Sequence, residues 1–224
     1  MLYLSYMALI LCFLPFFAGL LIFINIFKLK LSHLLLASLL GLVAVIPIEF
    51  IQYLLLPSLS FFQMGLIAKS LVTSLIFYGL VEECFKMAFL MPLPHKTYSE
   101  RDFMLLSFMA GLSVACFESS IYFLMYLQKA NINGAEVLYG MLFLRIFSSD
   151  LIHMLCTGLC GLFLFSQRQK STKISILITA ILIHGFYDFF AGFNNNLRWF
   201  SVAVLLFAIA QCRIKYRLLS SESE

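Results

Sequence analysis

No charged residue appears before Lys28, and the stretch Leu4–Phe27 is apolar but for Ser5 and Asn25. A helix needs about 20 consecutive apolar residues to cross the hydrocarbon core of a bilayer, and this stretch supplies them. Inside lipid the backbone must satisfy its own hydrogen bonds, so such a stretch has to be helical. It also lacks the basic residues that precede a cleaved secretory signal and is longer than a signal's apolar segment. It therefore reads as a spanning helix that stays. Six further apolar runs follow, at about Leu31–Leu56, Ser70–Met91, Phe103–Leu127, Gly140–Phe165, Ile174–Phe193 and Trp199–Cys212. With 62% hydrophobic residues, 12% charged residues and a mean hydropathy of +1.00, the chain has too little polar surface to coat a water-soluble core. The expected fold is an all-α, polytopic membrane helix bundle of about seven transmembrane helices. Residues 1–224 form a single integral membrane domain, with a motif-bearing core at about 70–193.

Turn residues mark the breaks: Pro57-Ser58, Pro92-Leu93-Pro94, Asn131-Ile132-Asn133-Gly134 and Asn194-Asn195-Asn196. A short interfacial piece is expected at Phe61–Gly65. Basic residues set the orientation, because cytoplasmic loops carry an excess of Lys and Arg. Lys28, Lys30, Lys96, Arg101, Arg168, Lys170, Lys173, Arg213, Lys215 and Arg217 fall on one side, against Lys69, Lys129 and Arg198 on the other. The amino terminus is expected outside and the carboxyl terminus in the cytoplasm. The cysteines all fall in apolar runs, which argues against a disulfide framework and makes Cys156 and Cys160 small packing residues. His33 and His95 sit at loop positions and read as solvated. No nucleic-acid motif is present.

Polar residues inside these runs are costly, roughly 2.5–3.5 kcal/mol each on the milder insertion scale, and they mark functional sites by default. The densest group is Glu82-Glu83-Cys84-Phe85-Lys86. On a helix Lys86 lies four residues from Glu82 and three from Glu83, so it shares a face with both. Glu118 on the fourth run, Asp150 and His153 on the fifth, and His184 and Asp188 on the sixth reach comparable depths. His184 and Asp188 are one turn apart on one face, a spacing suited to a hydrogen bond or shared metal ligation. Asp150 shares a face with His153 and could orient it, and Tyr122 could donate to Glu118. Glu49 reads as structural. Carboxylates and imidazoles converging from four helices make either a metal-water site or a metal-free glutamate-water site. Either of the paired glutamates could be the general base, and Glu83 is the choice because Glu82 is spaced to pair with Lys86 at i,i+4. A proton- or cation-coupled transporter gathers the same residue types at the midplane, and a non-catalytic membrane scaffold of the same fold would retain them. The absence of an inverted repeat argues against the transporter.

The order Glu82-Glu83-x-x-Lys86, Gly111 to Glu118-x-x-x-Tyr122, Arg145 to His153-x-x-x-Thr157-Gly158 and His184-x-x-x-Asp188 resembles the motifs of the PrsW family. These are polytopic bacterial membrane proteases related to the group containing CAAX prenyl endopeptidases. Val114 and Ser119 stand where that family tends to have Phe and Asn. The resemblance implies an intramembrane endopeptidase that hydrolyses a peptide bond in a membrane-anchored substrate, with an anti-sigma factor-like single-pass protein as the expected partner and a bacterial inner membrane as the location. It implies a catalytic set of Glu82, Glu83, Lys86, Glu118, His153, His184 and Asp188. Among these Glu118, His153, His184 and Asp188 are candidate ligands for a divalent metal such as zinc.

Overall fold

The structure, a computed structural model, describes residues 2–57, 63–133, 135–169 and 173–221. Among the described residues every regular element is helical. In chain order they are α1 (Leu2–Asn25), α2 (Leu31–Leu55), α3 (Leu66–Thr73), a π-helical stretch (Ser74–Val81), α4 (Glu82–Leu90), α5 (Glu100–Asn133), α6 (Ala135–Phe147), α7 (Ser149–Arg168), α8 (Ile174–Ala191), a 3-10 turn (Asn196–Arg198) and α9 (Trp199–Ser221). Six helical segments are long and apolar enough to cross a membrane: Tyr6–Asn25, Leu31–Leu55, Glu100–Leu127, Glu136–Arg168, Ile174–Ala191 and Asn196–Leu219. The seventh rod, residues 66–90, passes from α3 through the π-helical stretch into α4 and carries Glu82, Glu83 and Lys86.

The rods are not equivalent. In α5, 78% of the spanning window is buried within the protein, against 22% for α1 and for α9. α5 is the central post, with α7, α2, α1 and α6 packed around it, while α8 packs against the π-helical stretch, α7 and α9. The core runs between α5 and α7 through Met104, Phe108, Met109, Ile152, Cys156 and Leu159. Outward-facing positions such as Ile46, Phe50, Leu124 and Leu206 are exposed apolar side chains, as a lipid-facing surface requires.

The expected fifth span, Gly140–Phe165, is two helices rather than one. Ser148 leaves the helical region at φ −135° and ψ −74°, and α6 ends there. Its hydroxyl donates to the Leu144 carbonyl at 2.6 Å, and its N–H donates to the Arg145 carbonyl at 3.2 Å. Side-chain bonding to the preceding turn offers the backbone an alternative to the α-helical ladder. α5 is longer than its expected Phe103–Leu127, starting where Ser99 Oγ accepts the Asp102 N–H at 3.1 Å and running through Asn133. Of the expected interfacial piece at Phe61–Gly65, residues 61–62 lie outside the described residues, and 63–65 have no regular structure. Ser58, Gly134 and Lys170 also lie outside them. His33, expected to be solvated, is half-buried and hydrogen-bonded to the Tyr98 hydroxyl, which ties the start of α2 to the loop before α5.

Candidate active site

Two close helix crossings assemble the site. Where the π-helical stretch meets α8, glycines face each other: a Cβ on Gly79 would stand 2.6 Å from the Ile181 carbonyl oxygen, and one on Gly185 would stand 2.9 Å from Leu75 Cα. Without a Cβ at either position the two backbones touch, the usual reason for small residues at membrane helix interfaces. Glu83, four residues beyond Gly79, thereby meets His184, the neighbour of Gly185. The second crossing joins α5 to α7, where a Cβ on Gly111 would lie 2.5 Å from the His153 carbonyl oxygen. That approach brings Glu118, two turns along α5, to the His153 ring.

At the centre is the ammonium of Lys86, which is only 2% exposed. It donates to Glu83 Oε1 at 2.8 Å and to His153 Nδ1 at 2.9 Å, and it pairs with Glu82 Oε2 at 3.1 Å. An ammonium has only donors and a carboxylate only acceptors, so the tautomer of His153 follows from its neighbours. Its Nδ1 accepts from Lys86, which leaves the ring proton on Nε2, 2.5 Å from Glu118 Oε2. Glu118 is held in turn by Arg145 Nη2 at 3.1 Å. His184 donates from Nδ1 to Glu83 Oε1 at 2.7 Å, and its Nε2 faces Asp188 Oδ2 at 3.3 Å. The two imidazoles stand edge to face with centroids 4.8 Å apart.

The paired glutamates differ in what remains free. Glu83 is fully buried; its Oε1 takes Lys86 and His184, and its Oε2 accepts from Cys160 Sγ at 3.4 Å. Glu82 lines a cavity of about 650 Å³ together with Glu118, His153, Asp188, Tyr122 and Arg145, whereas Glu83 does not. Glu82 Oε2 lies 3.9 Å from His153 Nδ1 and 3.9 Å from His184 Nε2. One ligand atom from each of Glu82, His153 and His184 falls within 4.8 Å of the others. One carboxylate and two imidazoles are the donor types of hydrolytic zinc sites. Glu118 and Glu83 lie behind the two rings, in the place of the carboxylates that fix ligand tautomers in such sites. The Lys86 ammonium takes two of the same atoms, Glu82 Oε2 and His153 Nδ1, so a metal there would replace those two contacts while Lys86 keeps its bond to Glu83. With that exchange the donor types present fit a divalent metal.

All seven residues expected at the site are gathered here, in an arrangement that spacing alone did not specify. Glu82, rather than Glu118 or Asp188, is the carboxylate that converges with both histidines, while Glu118 and Asp188 each face one ring. Asp150 does not orient His153: its Oδ1 accepts from Ser119 Oγ at 2.9 Å, and Ser119 Oγ accepts from Arg145 Nε at 3.0 Å. Tyr122 lies beneath the Arg145 guanidinium, 4.0 Å from ring centroid to Cζ. Glu49 lines the cavity. Cys160 proves to be a donor to Glu83 as well as a packing residue. Arg145, which the motif order includes without a role, bridges Glu118 and Ser119. One residue escaped sequence reasoning. Gln52 on α2 donates to Glu82 Oε1 at 3.0 Å, and its trace was an amide one turn from Glu49 within a spanning run.

No curated protein and no solved structure matches the chain. Residues 30–212 match the family model described as PrsW family intramembrane metalloprotease, a match that takes in the whole site from Gln52 to Asp188; the chain belongs to this family.

Proposed function

We propose that this protein is an intramembrane endopeptidase that hydrolyses a peptide bond of a membrane-anchored protein, with Glu82 as the carboxylate that faces the reacting groups. The observation that carries this reading is the asymmetry of the glutamate pair. Both oxygens of Glu83 are committed to Lys86, His184 and Cys160, whereas Glu82 lines the cavity and lies 3.9 Å from a nitrogen of each histidine. Glu82, His153 and His184 would hold a divalent metal such as zinc, and the metal would supply Lewis acidity toward water and the scissile carbonyl. Glu83 and Glu118 keep one nitrogen of each imidazole protonated and thereby turn the other nitrogen toward Glu82. Lys86 offsets the buried negative charge. Asp188, on the cavity wall beside His184, is placed to accept the proton that water gives up and to return it to the leaving amine.

The cavity is also lined by Glu49, Gly192 and Arg198, so it opens toward the end of the bundle that holds the α8–α9 connection. The distribution of basic residues puts that end outside, with the amino terminus outside and the carboxyl terminus cytoplasmic. The reacting groups are then reached from the outer side of the membrane. A single-pass regulator of the anti-sigma factor kind suits such a site, and a bacterial inner membrane is the matching location.

The test uses purified protein in detergent with single-pass substrates, with and without a chelator. Wild type is expected to cleave and Glu82→Gln to lose cleavage while remaining monodisperse. His153→Ala and His184→Ala are expected to fail likewise, and chelation is expected to abolish activity until zinc is restored. Full cleavage by folded Glu82→Gln and His184→Ala together would defeat the reading.

A further inference from the structure

The glutamate that faces the cavity is not held by its own helix alone. Gln52 is 8% exposed and belongs to α2, outside the segment from 70 to 193 that carries the recognised motifs. Its Nε2 donates to Glu82 Oε1 at 3.0 Å and to the Phe77 carbonyl at 3.3 Å. A carbonyl only accepts, so the amide nitrogen has to be the atom on that side, and its two hydrogens serve the two acceptors. The Phe77 carbonyl belongs to the π-helical stretch, and Glu82 is the first residue after it, where the backbone returns to the α-helical repeat. Gln52 therefore ties the irregular stretch of backbone and the carboxylate that follows it to one point on a neighbouring helix. With Oε1 so engaged, Glu82 presents Oε2 to His153, His184 and Lys86.

We infer that Gln52 is a positioning residue for the reaction: it fixes the rotation of the Glu82 carboxylate, so that Oε2 rather than Oε1 is the atom offered to water or metal. This rests on the proteolytic reading of the site. An apolar side chain of the same length leaves Glu82 free to turn between rotamers. Hydrogen-bond partners that orient ligating groups are typically worth 10–100-fold in metal affinity or activity.

Two substitutions test it. Gln52→Met keeps the length and bulk but removes the donor; Gln52→Glu keeps the shape but replaces the two N–H bonds by a second carboxyl, which is assayed at a pH where both carboxyls are ionised so that it repels Glu82. For each, kcat and KM on a single-pass substrate are measured beside zinc affinity by calorimetry, with thermal stability in detergent as the control on folding. Both variants are expected to lower kcat roughly 10–100-fold with KM within about twofold of wild type, and to weaken zinc binding by a similar factor. A residue that merely packs would lower stability in Gln52→Met and leave kcat per folded molecule unchanged. If either variant is folded and keeps wild-type kcat and zinc affinity, the inference is overturned. If Gln52→Met does not fold, Gln52→Glu decides by the same two measurements. A wild type that neither cleaves nor binds zinc overturns the proteolytic reading itself, and that failure is separate from a Gln52 effect absent in an active enzyme.

Discussion

Lys86 is the residue whose removal the structure makes most expensive. Its ammonium is 2% exposed and serves Glu83 at 2.8 Å, Glu82 at 3.1 Å and His153 at 2.9 Å. Lys86→Met keeps the apolar stem and deletes the charge, so the fully buried Glu83 carboxylate retains only His184 and Cys160 as donors. Breaking a buried pair from one side costs about 3–5 kcal/mol, because the remaining charge is stranded. At roughly 2–4 °C per kcal/mol for a chain of this size, the melting temperature in detergent should fall on the order of 10 °C. Adding Glu83→Gln removes the stranded carboxylate. The double variant should therefore be more stable than the sum of the single losses predicts, with a coupling of about 2 kcal/mol, within the range for residues in direct contact. The assay is the fraction of monodisperse protein remaining after a graded heat challenge, measured on all four members of the cycle. A Lys86→Met protein that melts within about 2 °C of wild type, or a cycle that is simply additive, would refute the argument that one ammonium neutralises this cluster.

Gly185→Ala should deplete folded, active protein, because its Cβ would meet Leu75 Cα at 2.9 Å, and a backbone atom cannot move aside cheaply. Gly140→Ala meets nothing within 4 Å and should keep wild-type cleavage and stability or better, as the same assays would register. Cys160→Ala should reduce cleavage several-fold while Cys160→Ser, which restores a donor to Glu83, recovers it; Cys156→Ala should match wild type, and equal activity in all three would remove the Cys160 bond from the account. Cysteines added at the α7–α8 connection should resist a membrane-impermeant label in intact cells, and labelling there from outside would reverse the proposed orientation.

What the sequence revealed and what it hid divide along a physical line. Hydropathy depends on composition over some 20 residues, so the spans were legible, and the pairing of Lys86 with both glutamates followed from helical spacing alone. The i,i+4 relation of His184 to Asp188 likewise survives as a 3.3 Å contact. Relations between helices were not legible in this way. Whether Glu82 or Glu83 faces the cavity depends on how far residues 66–90 are rotated, and that rotation is set by the π-helical stretch and by the Gly79–Gly185 crossing. Asp150 shares a helix face with His153, yet Ser119 across the α5–α7 interface claims it. The break at Ser148 carries no Pro or Gly to announce it. Gln52 shows nothing of its role until α2 and the rod from 66 to 90 are placed side by side.

The π-helical stretch sets a constraint of a different kind, on chain length. Each residue of an α-helix advances the side-chain direction by about 100°, and rigid helices transmit that angle to everything beyond. A π-helical stretch is wound more loosely and holds about one residue more than an α-helix of the same turn. The loss of one residue between Ser74 and Val81 is therefore absorbed by a return to the ordinary α repeat, which leaves Glu82, Glu83 and Lys86 near their present rotation. A residue lost between Glu82 and Lys86 meets no such slack and breaks the three- and four-residue spacing of Lys86 to the glutamates. Among homologues, a one-residue gap should be tolerated at 74–81 and absent from 82–86.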